Sequence, residues 1–221
     1  MMEILTGLPW DEIAEATLDT LLMLGISMAF TLVLGLPLGV VLFLTGKRQL
    51  LEQTALYNVL SFVVNVLRSV PFIILLIVMM PLTEIVAGTS LGVQGSIPPL
   101  VVGAAPFFAR LVETALREID RGIVEATQAM GATTRQIVFG ALIPEALPGI
   151  IAAVTVTAIA LVSYTAMSGI IGGGGLGDLA VRYGYHRHQN DVMVVTVLLL
   201  LVLVQALQMF GDKLVLRFSR R

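Results

Sequence analysis

Long runs without a charged residue most constrain how this chain can fold. Residues 20–46, 146–177 and 192–211 contain no Asp, Glu, Lys or Arg. About 20 apolar residues in a helix are enough to cross the hydrocarbon layer of a membrane. Only 13% of the residues are charged and 57% are hydrophobic, whereas globular proteins carry about 25% charged residues. The sequence therefore predicts an all-α integral membrane protein.

Five transmembrane helices are predicted within a single domain of residues 1–221, at about residues 20–44, 54–82, 97–111, 147–171 and 192–211. The second of these contains one charge, Arg68. The stretch before the third is rich in Gly, Ser and Pro, so residues 88–96 are predicted to form a loop and the third span is short. Trp10 follows Pro9 and suits a membrane interface, which predicts a short interfacial helix ahead of the first span.

The distribution of lysine and arginine predicts the orientation, because cytoplasmic loops are enriched in both residues. Five spans place the termini on opposite sides, with the N-terminus predicted outside and the C-terminus in the cytoplasm. The outer side then receives only Arg182 and Arg187. The cytoplasmic side receives all the other basic residues except Arg68: Lys47, Arg48, Arg110, Arg117, Arg121, Arg135, Lys213, Arg217, Arg220 and Arg221.

The stretch of residues 125–149 is the longest charge-bearing interruption between the apolar runs. Ile123, Ala126 and Met130 recur at helical spacing, which predicts a short helix with one small apolar face. Gly131 is placed where this helix would stop, because glycine adopts the left-handed conformation without a Cβ clash.

A second short helix is expected after this break. Thr133 or Thr134 can cap it through a side-chain hydroxyl. Pro144 has no N–H and disfavours α geometry at Ile143, so the helix is predicted to end before Pro144, where a new apolar helix begins. Residues 113–146 are thus predicted to form a cytoplasmic loop between spans three and four, carrying a compact helix that a groove in another protein can accept.

This loop resembles the EAA loop of ABC-transporter permeases, whose signature is E-A-A-x-x-x-G followed by I-x-L-P. The spacing from the glutamate to the proline is kept, Thr127 replaces the second alanine, and Ala141 and Ile143 replace the Ile and Leu. The resemblance implies a type I ABC importer fold, in which this loop is the coupling helix that docks on an ATP-binding subunit. An ordinary loop between spans is the alternative. The candidate coupling residues are Glu125, Ala126, Thr127, Met130, Gly131, Ala132 and Pro144.

Three residues within the predicted spans are candidates for the translocation path. Arg68 is expected to point into the helix bundle, because an arginine in contact with lipid costs several kcal/mol. It either lines the path or forms a structural tie to backbone carbonyls or to Asn65. Tyr164 and Met167 share a helix face just before a glycine run, and Met167 either gates the path through its flexible thioether or only packs.

Several function classes are disfavoured. The run GGGGLGD lacks the Lys-Ser/Thr of a phosphate-binding loop, so the chain is not expected to hydrolyse ATP or to be an enzyme. The absence of cysteine excludes thiolate metal sites, and His186 with His188 is a weak metal signal. No carboxylate lies deep within a span, which counts against proton-coupled transport. The sequence contains no basic cluster typical of nucleic-acid binding.

Longer runs resemble the methionine-uptake permease family of ABC importers. They are RSVPFIILL, GAAPFFAR, EATQAMGAT with PEALPGI, and GGGGLG. The resemblance covers almost the whole chain and implies a homodimer in the bacterial inner membrane, with the path at the interface between the two copies. It further implies two ATP-binding subunits, which hold ATP and Mg, and a periplasmic or lipid-anchored substrate-binding protein. No cofactor is expected on this chain itself.

Methionine, as the D- or L-isomer, is the substrate that this resemblance implies. Another amino acid or a small polar metabolite stays open within the same transporter class. A secondary carrier or a channel is the alternative from a different class.

Overall fold

The computed structural model describes residues 8–219, so Arg220 and Arg221, which entered the predicted charge distribution, lie outside the described residues. Helix is the regular secondary structure throughout this range. Two π-helical turns, Val138–Leu142 and Ala180–Tyr185, interrupt the α-helices. The α-helices are α1 (Trp10–Thr45), α2 (Thr54–Ser69), α3 (Phe72–Ala87), α4 (Gly92–Arg117), α5 (Arg121–Ala129), α6 (Thr134–Ile137), α7 (Ile143–Gly169), α8 (Gly175–Leu179) and α9 (Asn190–Phe218).

Four helical stretches are long and apolar enough to cross a membrane: α1, α4, the run Thr134–Gly169 and α9. Helices α2 and α3 pass the same test together, but their axes are bent by 107°. Among the described residues the number of candidate spans is therefore four, or five if the bent pair counts as one. Such a chain is a multi-pass membrane protein.

The first helix starts earlier than the predicted span. Trp10 is its first residue, so the helix predicted from Trp10 is continuous with the first span. Residues 11–19 contain neither Gly nor Pro, so no residue type that readily interrupts a helix separates the polar start from the apolar run. Asp11 and Glu12 in the first turn favour the positive end of the helix dipole.

The predicted span at 54–82 is divided into two helices at Val70 and Pro71. Val70 is extended, with φ −76° and ψ 124°, and Pro71 precedes the first residue of α3. A proline disfavours α geometry at the residue before it and cannot donate to the previous turn. The sequence predicted one span at 54–82, whereas the structure changes direction at this proline.

The predicted loop at 88–96 is helical from Gly92 onward. Helix α4 runs to Arg117 and contains Pro98, Pro99 and Pro106. The hydroxyl of Ser96 donates to the Gly92 carbonyl at 3.0 Å and lies 3.4 Å from the Gly173 carbonyl. Small residues here allow close packing against the turn before α8, and that packing outweighs their weak helix propensity.

Pro144 does not end a helix, contrary to the expectation. It lies in the first turn of α7, and helical structure continues from Thr134 to Gly169. The turn immediately before α7, Val138–Leu142, is π-helical. A π turn is wider than an α turn, which relieves the clash between the proline ring and the carbonyl one turn earlier.

Helix α1 approaches α4 closely at two glycines. A Cβ atom on Gly39 would lie 2.6 Å from the Ala109 carbonyl oxygen and 2.7 Å from Val112 Cβ. One on Gly35 would lie 2.8 Å from Phe108 Cδ1. Small residues permit such approach between membrane helices, where packing rather than water exclusion holds helices together.

A buried carboxylate lies near the end of α4. The Glu113 side chain is 2% exposed, and its two oxygens accept from Arg110 and Arg117 at 2.6 Å each. Burying a carboxylate is costly unless it is paired and hydrogen-bonded, and both conditions are met here.

The same cluster joins α2 to α4. The Tyr57 hydroxyl donates to Glu113 at 3.2 Å, while the Arg110 guanidinium donates to Ser61 at 2.8 Å and to Asn65 at 2.9 Å. Val64 is the buried residue of α2 in the described chain. Polar contacts therefore supply much of the attachment of α2 to α4.

Gly39→Val is expected to lower the free energy of unfolding by about 1–3 kcal/mol, because the new side chain overlaps α4. Thermal unfolding in detergent measures this change. Gly25→Val on the same helix is the control, since among the described residues no atom beyond its own helix turn lies within 4 Å of a Cβ built there. Equal losses in the two variants would contradict a tight crossing at Gly39.

Glu113→Gln is expected to destabilise the chain, because two arginines would face each other without their shared carboxylate. Removing one partner of a buried ion pair costs about 3–5 kcal/mol, and the 20% and 45% exposure of the two arginines reduces that cost. Tyr57→Phe, which removes one hydroxyl worth about 1 kcal/mol, is the comparison. A loss no larger than that of Tyr57→Phe would show that the cluster contributes little.

Candidate functional site

Helix α5 and the break after it form the candidate coupling element. The Asp120 carboxylate accepts from the Gly122 N–H at 2.6 Å and caps the helix start. Gly131 has φ +80°, the left-handed value that favours glycine. Thr133 then caps α6 in a reciprocal box with Gln136. The predicted sequence of helix, glycine break and threonine cap is therefore present.

The two faces of α5 have different surroundings. Val124 and the following Ala132 pack against the core formed by α1, α4 and α7. Glu125 and Ala126 are exposed, and Met130 is 78% exposed. No residue of α5 is fully buried in the described chain. The element therefore presents a small surface with one apolar side chain while its opposite face is held by the core.

Two of the candidate coupling residues, Thr127 and Pro144, have structural roles within the chain itself. The Thr127 hydroxyl donates to the carbonyls of Ile123 and Val124 within α5, at 3.0 and 2.8 Å. Pro144 lies in the first turn of α7 and is exposed. Thr127 thus supports the helix itself, while Pro144 marks the entry into the following span.

A basic cavity lies next to α5 and was not predicted from the sequence. Its volume is about 350 Å³, and its charged lining residues are Lys47, Arg48, Arg117, Arg121 and Glu125. Lys47 and Arg48 entered the sequence argument only through the membrane orientation. The signal available was that basic residues follow the first span and flank the loop helix, but the sequence cannot show that the two regions meet.

Arg68 and Tyr164, far apart in sequence, line one cavity of about 240 Å³. The ring of Tyr164 stacks on Phe72, with centroids 4.4 Å apart and planes 8° from parallel. The Arg68 guanidinium lies 5.8 Å from the centroid of Phe107. Two predicted path residues are therefore brought together by the break between α2 and α3.

Neither structural alternative for Arg68, a tie to backbone carbonyls or to Asn65, is present among the described residues. Asn65, the expected polar partner, accepts a hydrogen bond from Arg110 instead. Arg68 was predicted to point into the helix bundle. In the single chain its side chain is instead exposed. Its one recorded contact among residues 8–219 is the aromatic ring of Phe107.

Met167 lies one helical turn after Tyr164 and is not part of this cavity. Its side chain is 40% exposed. Helix α7 ends two residues later, and the glycine run turns the chain into α8, with Gly174 and Gly175 at φ +77° and +78°. The Thr20 hydroxyl accepts from the Leu176 N–H at 2.8 Å and fixes this turn on α1.

Acidic residues collect near the start of α1. Glu12, Glu15 and Asp19 line a cavity of about 320 Å³ together with Asp178, which pairs with Arg182 at 3.1 Å. Within residues 8–219 no group of three or more His, Cys, Asp or Glu side chains is arranged to hold a metal ion.

Sequence comparison places these features in a known family. Residues 32–220 match the family described as binding-protein-dependent transport system inner membrane component. A relative from Vibrio cholerae, a probable D-methionine transport system permease protein MetI, is 51% identical over 96% of this chain and 94% of its own length. The methionine import system permease protein MetP of Bacillus subtilis is 46% identical over 91% and 90%, respectively.

Solved structures agree with this placement. The chain matches an inward-facing structure of the MetNI methionine ABC transporter with a TM-score of 0.90 and 47% identity, covering 100% of this chain and 98% of the other. An amino acid ABC transporter matches with a TM-score of 0.77, 15% identity and 94% coverage of both chains, which shows a shared fold. The chain belongs to the binding-protein-dependent transport system inner membrane components and, within them, to the group that contains the MetI and MetP permeases.

Proposed function

We propose that this chain is the membrane permease subunit of an ATP-driven importer of methionine. The observation that carries the proposal is the 51% identity to a D-methionine transport permease over 96% of the chain. The exposed α5 surface, held on a packed scaffold, supports a permease that is driven from outside itself. The chain is a transport component and not an enzyme.

Two copies of the chain and two ATP-binding subunits complete the proposed assembly, with ATP and Mg on the ATP-binding subunits. A periplasmic or lipid-anchored binding protein delivers the substrate. Large apolar side chains left exposed on α2, such as Val59 at 62% and Phe62 at 69%, support a second copy or lipid on this face. The translocation path lies between the two copies and includes Arg68, Tyr164 and Met167.

The proposed orientation places α5 in the cytoplasm and the N-terminus outside. Lys47, Arg48, Arg117 and Arg121 line one cavity at the α5 end of the molecule, while acidic residues collect at the start of α1. Basic residues favour the cytoplasmic side of a membrane, so this separation supports the orientation.

Coupling works through protein-protein binding that differs between two conformations. The ATP-binding subunits contact α5 of each copy at Glu125, Ala126, Met130 and Gly131. When these subunits close on ATP, they move both α5 elements. The ATP-bound subunits bind one conformation of the permease more tightly than the other. The path therefore switches between inward- and outward-facing states, and ATP hydrolysis resets it. The core contacts of Val124 and Ala132 pass this movement to α4 and α7.

Co-purification and reconstitution test the proposal directly. The solubilised chain is expected to retain an ATPase subunit, and proteoliposomes containing the complex are expected to accumulate radiolabelled methionine only with ATP and binding protein. Accumulation without ATP would favour a secondary carrier or a channel. Competition by unlabelled D- and L-methionine, other amino acids and small polar metabolites distinguishes the substrates.

Gly131→Trp is expected to lower methionine uptake per ATP hydrolysed by about tenfold, equivalent to about 1.4 kcal/mol of coupling. Among the described residues, no atom beyond the immediate chain neighbours lies within 4 Å of a Cβ at Gly131, so the indole has room to project toward the partner. Gly131→Ala is the control, because it brings the same left-handed strain without the indole. Equal coupling ratios in the two variants would exclude docking at Gly131.

Met167→Ala is expected to raise the passive leak of methionine by roughly twofold or more, since a flexible thioether that closes a path is removed. Efflux from loaded proteoliposomes without ATP measures the leak. Met209→Ala, at a 58% exposed site on α9, is the control. If efflux from the Met167 variant equals that of the parent, Met167 only packs.

A further inference from the structure

The cavity beside the α2–α3 break combines one cation with an otherwise apolar and aromatic wall. Its volume is about 240 Å³, and helices α2, α3, α4 and α7 contribute to it. The polar side chains in its lining are Arg68 and Tyr164. Ligand sites in proteins commonly pair an apolar wall with a few convergent polar groups that orient the ligand.

Arg68 has no anionic partner within the described part of the chain. The ion pairs recorded there join Arg110 and Arg117 to Glu113 and Arg182 to Asp178. The Arg68 side chain lies in the last turn of α2 and is exposed in the single chain, so its charge is accessible to a ligand. Its planar guanidinium can bind a carboxylate through two parallel hydrogen bonds.

The aromatic and apolar part of the lining suits an apolar side chain that contains sulfur. Phe72 and Tyr164 present stacked rings, and the other large apolar lining residues are Leu67, Val70, Leu75 and Phe107. Thioether sulfur makes favourable contacts with aromatic rings, typically about 5 Å away and worth about 0.3–1.5 kcal/mol.

The volume limits the ligand to a small molecule. Drug-sized ligands occupy pockets of about 300–1,000 Å³, so about 240 Å³ fits one amino acid and not a peptide. Gly103 keeps this space open, because a Cβ there would lie 3.3 Å from Phe72 Cδ2 and 3.4 Å from Leu75 Cδ2.

We propose that this cavity is a transit site for the translocated amino acid, in which Arg68 binds the α-carboxylate and the aromatic wall receives the thioether. The site rests on the proposed function, because it takes the substrate after release from the binding protein. Each protomer carries one such cavity. The permease then selects for a free carboxylate in addition to the selection made by the binding protein.

Thiol labelling tests the site in the assembled complex. The chain contains no cysteine, so Val70→Cys places a single thiol of this chain in the cavity lining, and the partner subunits are used in cysteine-free form. L-methionine is expected to slow labelling of this thiol by a small methanethiosulfonate reagent about threefold or more. Methioninol, which lacks the carboxylate, is expected to give no protection. Val59→Cys on α2, outside the cavity, is the control whose labelling rate methionine leaves unchanged.

Substitution of Arg68 separates carboxylate binding from simple steric block. Arg68→Gln in the Val70→Cys chain is expected to abolish the protection of the thiol by methionine, because charge-assisted hydrogen bonds are lost. Arg68→Lys is expected to retain part of this protection. The Gln variant is also expected to react more slowly with an anionic reagent relative to a cationic one. The carboxylate site would be overturned if methionine still protected the thiol in the Arg68→Gln variant, or if methioninol protected it as well as methionine does.

Uptake by the Val70→Cys parent complex distinguishes failure of the site from failure of the proposed function. ATP-dependent methionine uptake without protection in any variant overturns the transit site and leaves the importer standing. Absence of ATP-dependent methionine uptake by the complex without substitutions overturns the proposed function, whatever the labelling shows. Retention of each variant in the membrane at parental level, measured on blots, verifies that the Arg68 variants fold.

Discussion

The close crossing of α1 and α4 is the contact on which the remaining structure depends. Lipid tails are as apolar as the side chains, so helices in a membrane associate through packing and polar contacts. Gly35 and Gly39 remove the side chains that would separate α1 from α4. Helix α4 is thereby fixed at the centre of the chain, where it also contacts α2, α3 and α7.

Two candidate functional regions lie at different levels along this central helix. Toward its end, the Glu113 cluster joins α4 to α2 and lies just before the turn into α5. Near its middle, Gly103 and Phe107 form one wall of the cavity that contains Arg68. Helix α4 leads into the turn before α5, carries Glu113 and contributes one wall of the cavity. A displacement of α5 that moves α4 therefore affects both the attachment of α2 and the shape of the cavity.

Local signals in the sequence predicted the coupling element well, since its determinants are close neighbours in the chain. Gly131 requires the left-handed conformation and Thr133 caps the next helix, as the residue types indicate. The prolines were harder to interpret. Pro71 separates two helices, whereas Pro98 lies within α4 and Pro144 begins α7 after a π turn. The outcome at each proline depends on tertiary packing, which a local pattern does not contain.

Long-range proximity was the part that sequence reasoning could not supply. Arg68 was recognised as unusual, yet its position beside Phe107 and Tyr164 follows from the 107° change of direction between α2 and α3. The basic cavity likewise needs the loop after α1 to meet α5. The composition of each segment indicates which charges require a partner, and the fold decides which segments can provide one.

The π-helical turn at Val138–Leu142 has a geometric consequence for this helix. Each such turn contains one residue more than an α turn, which shifts the angular phase of all preceding side chains by about 100° relative to those that follow. The face that α6 presents to its neighbours therefore differs from the face that an uninterrupted α-helix over Thr134–Gly169 would present.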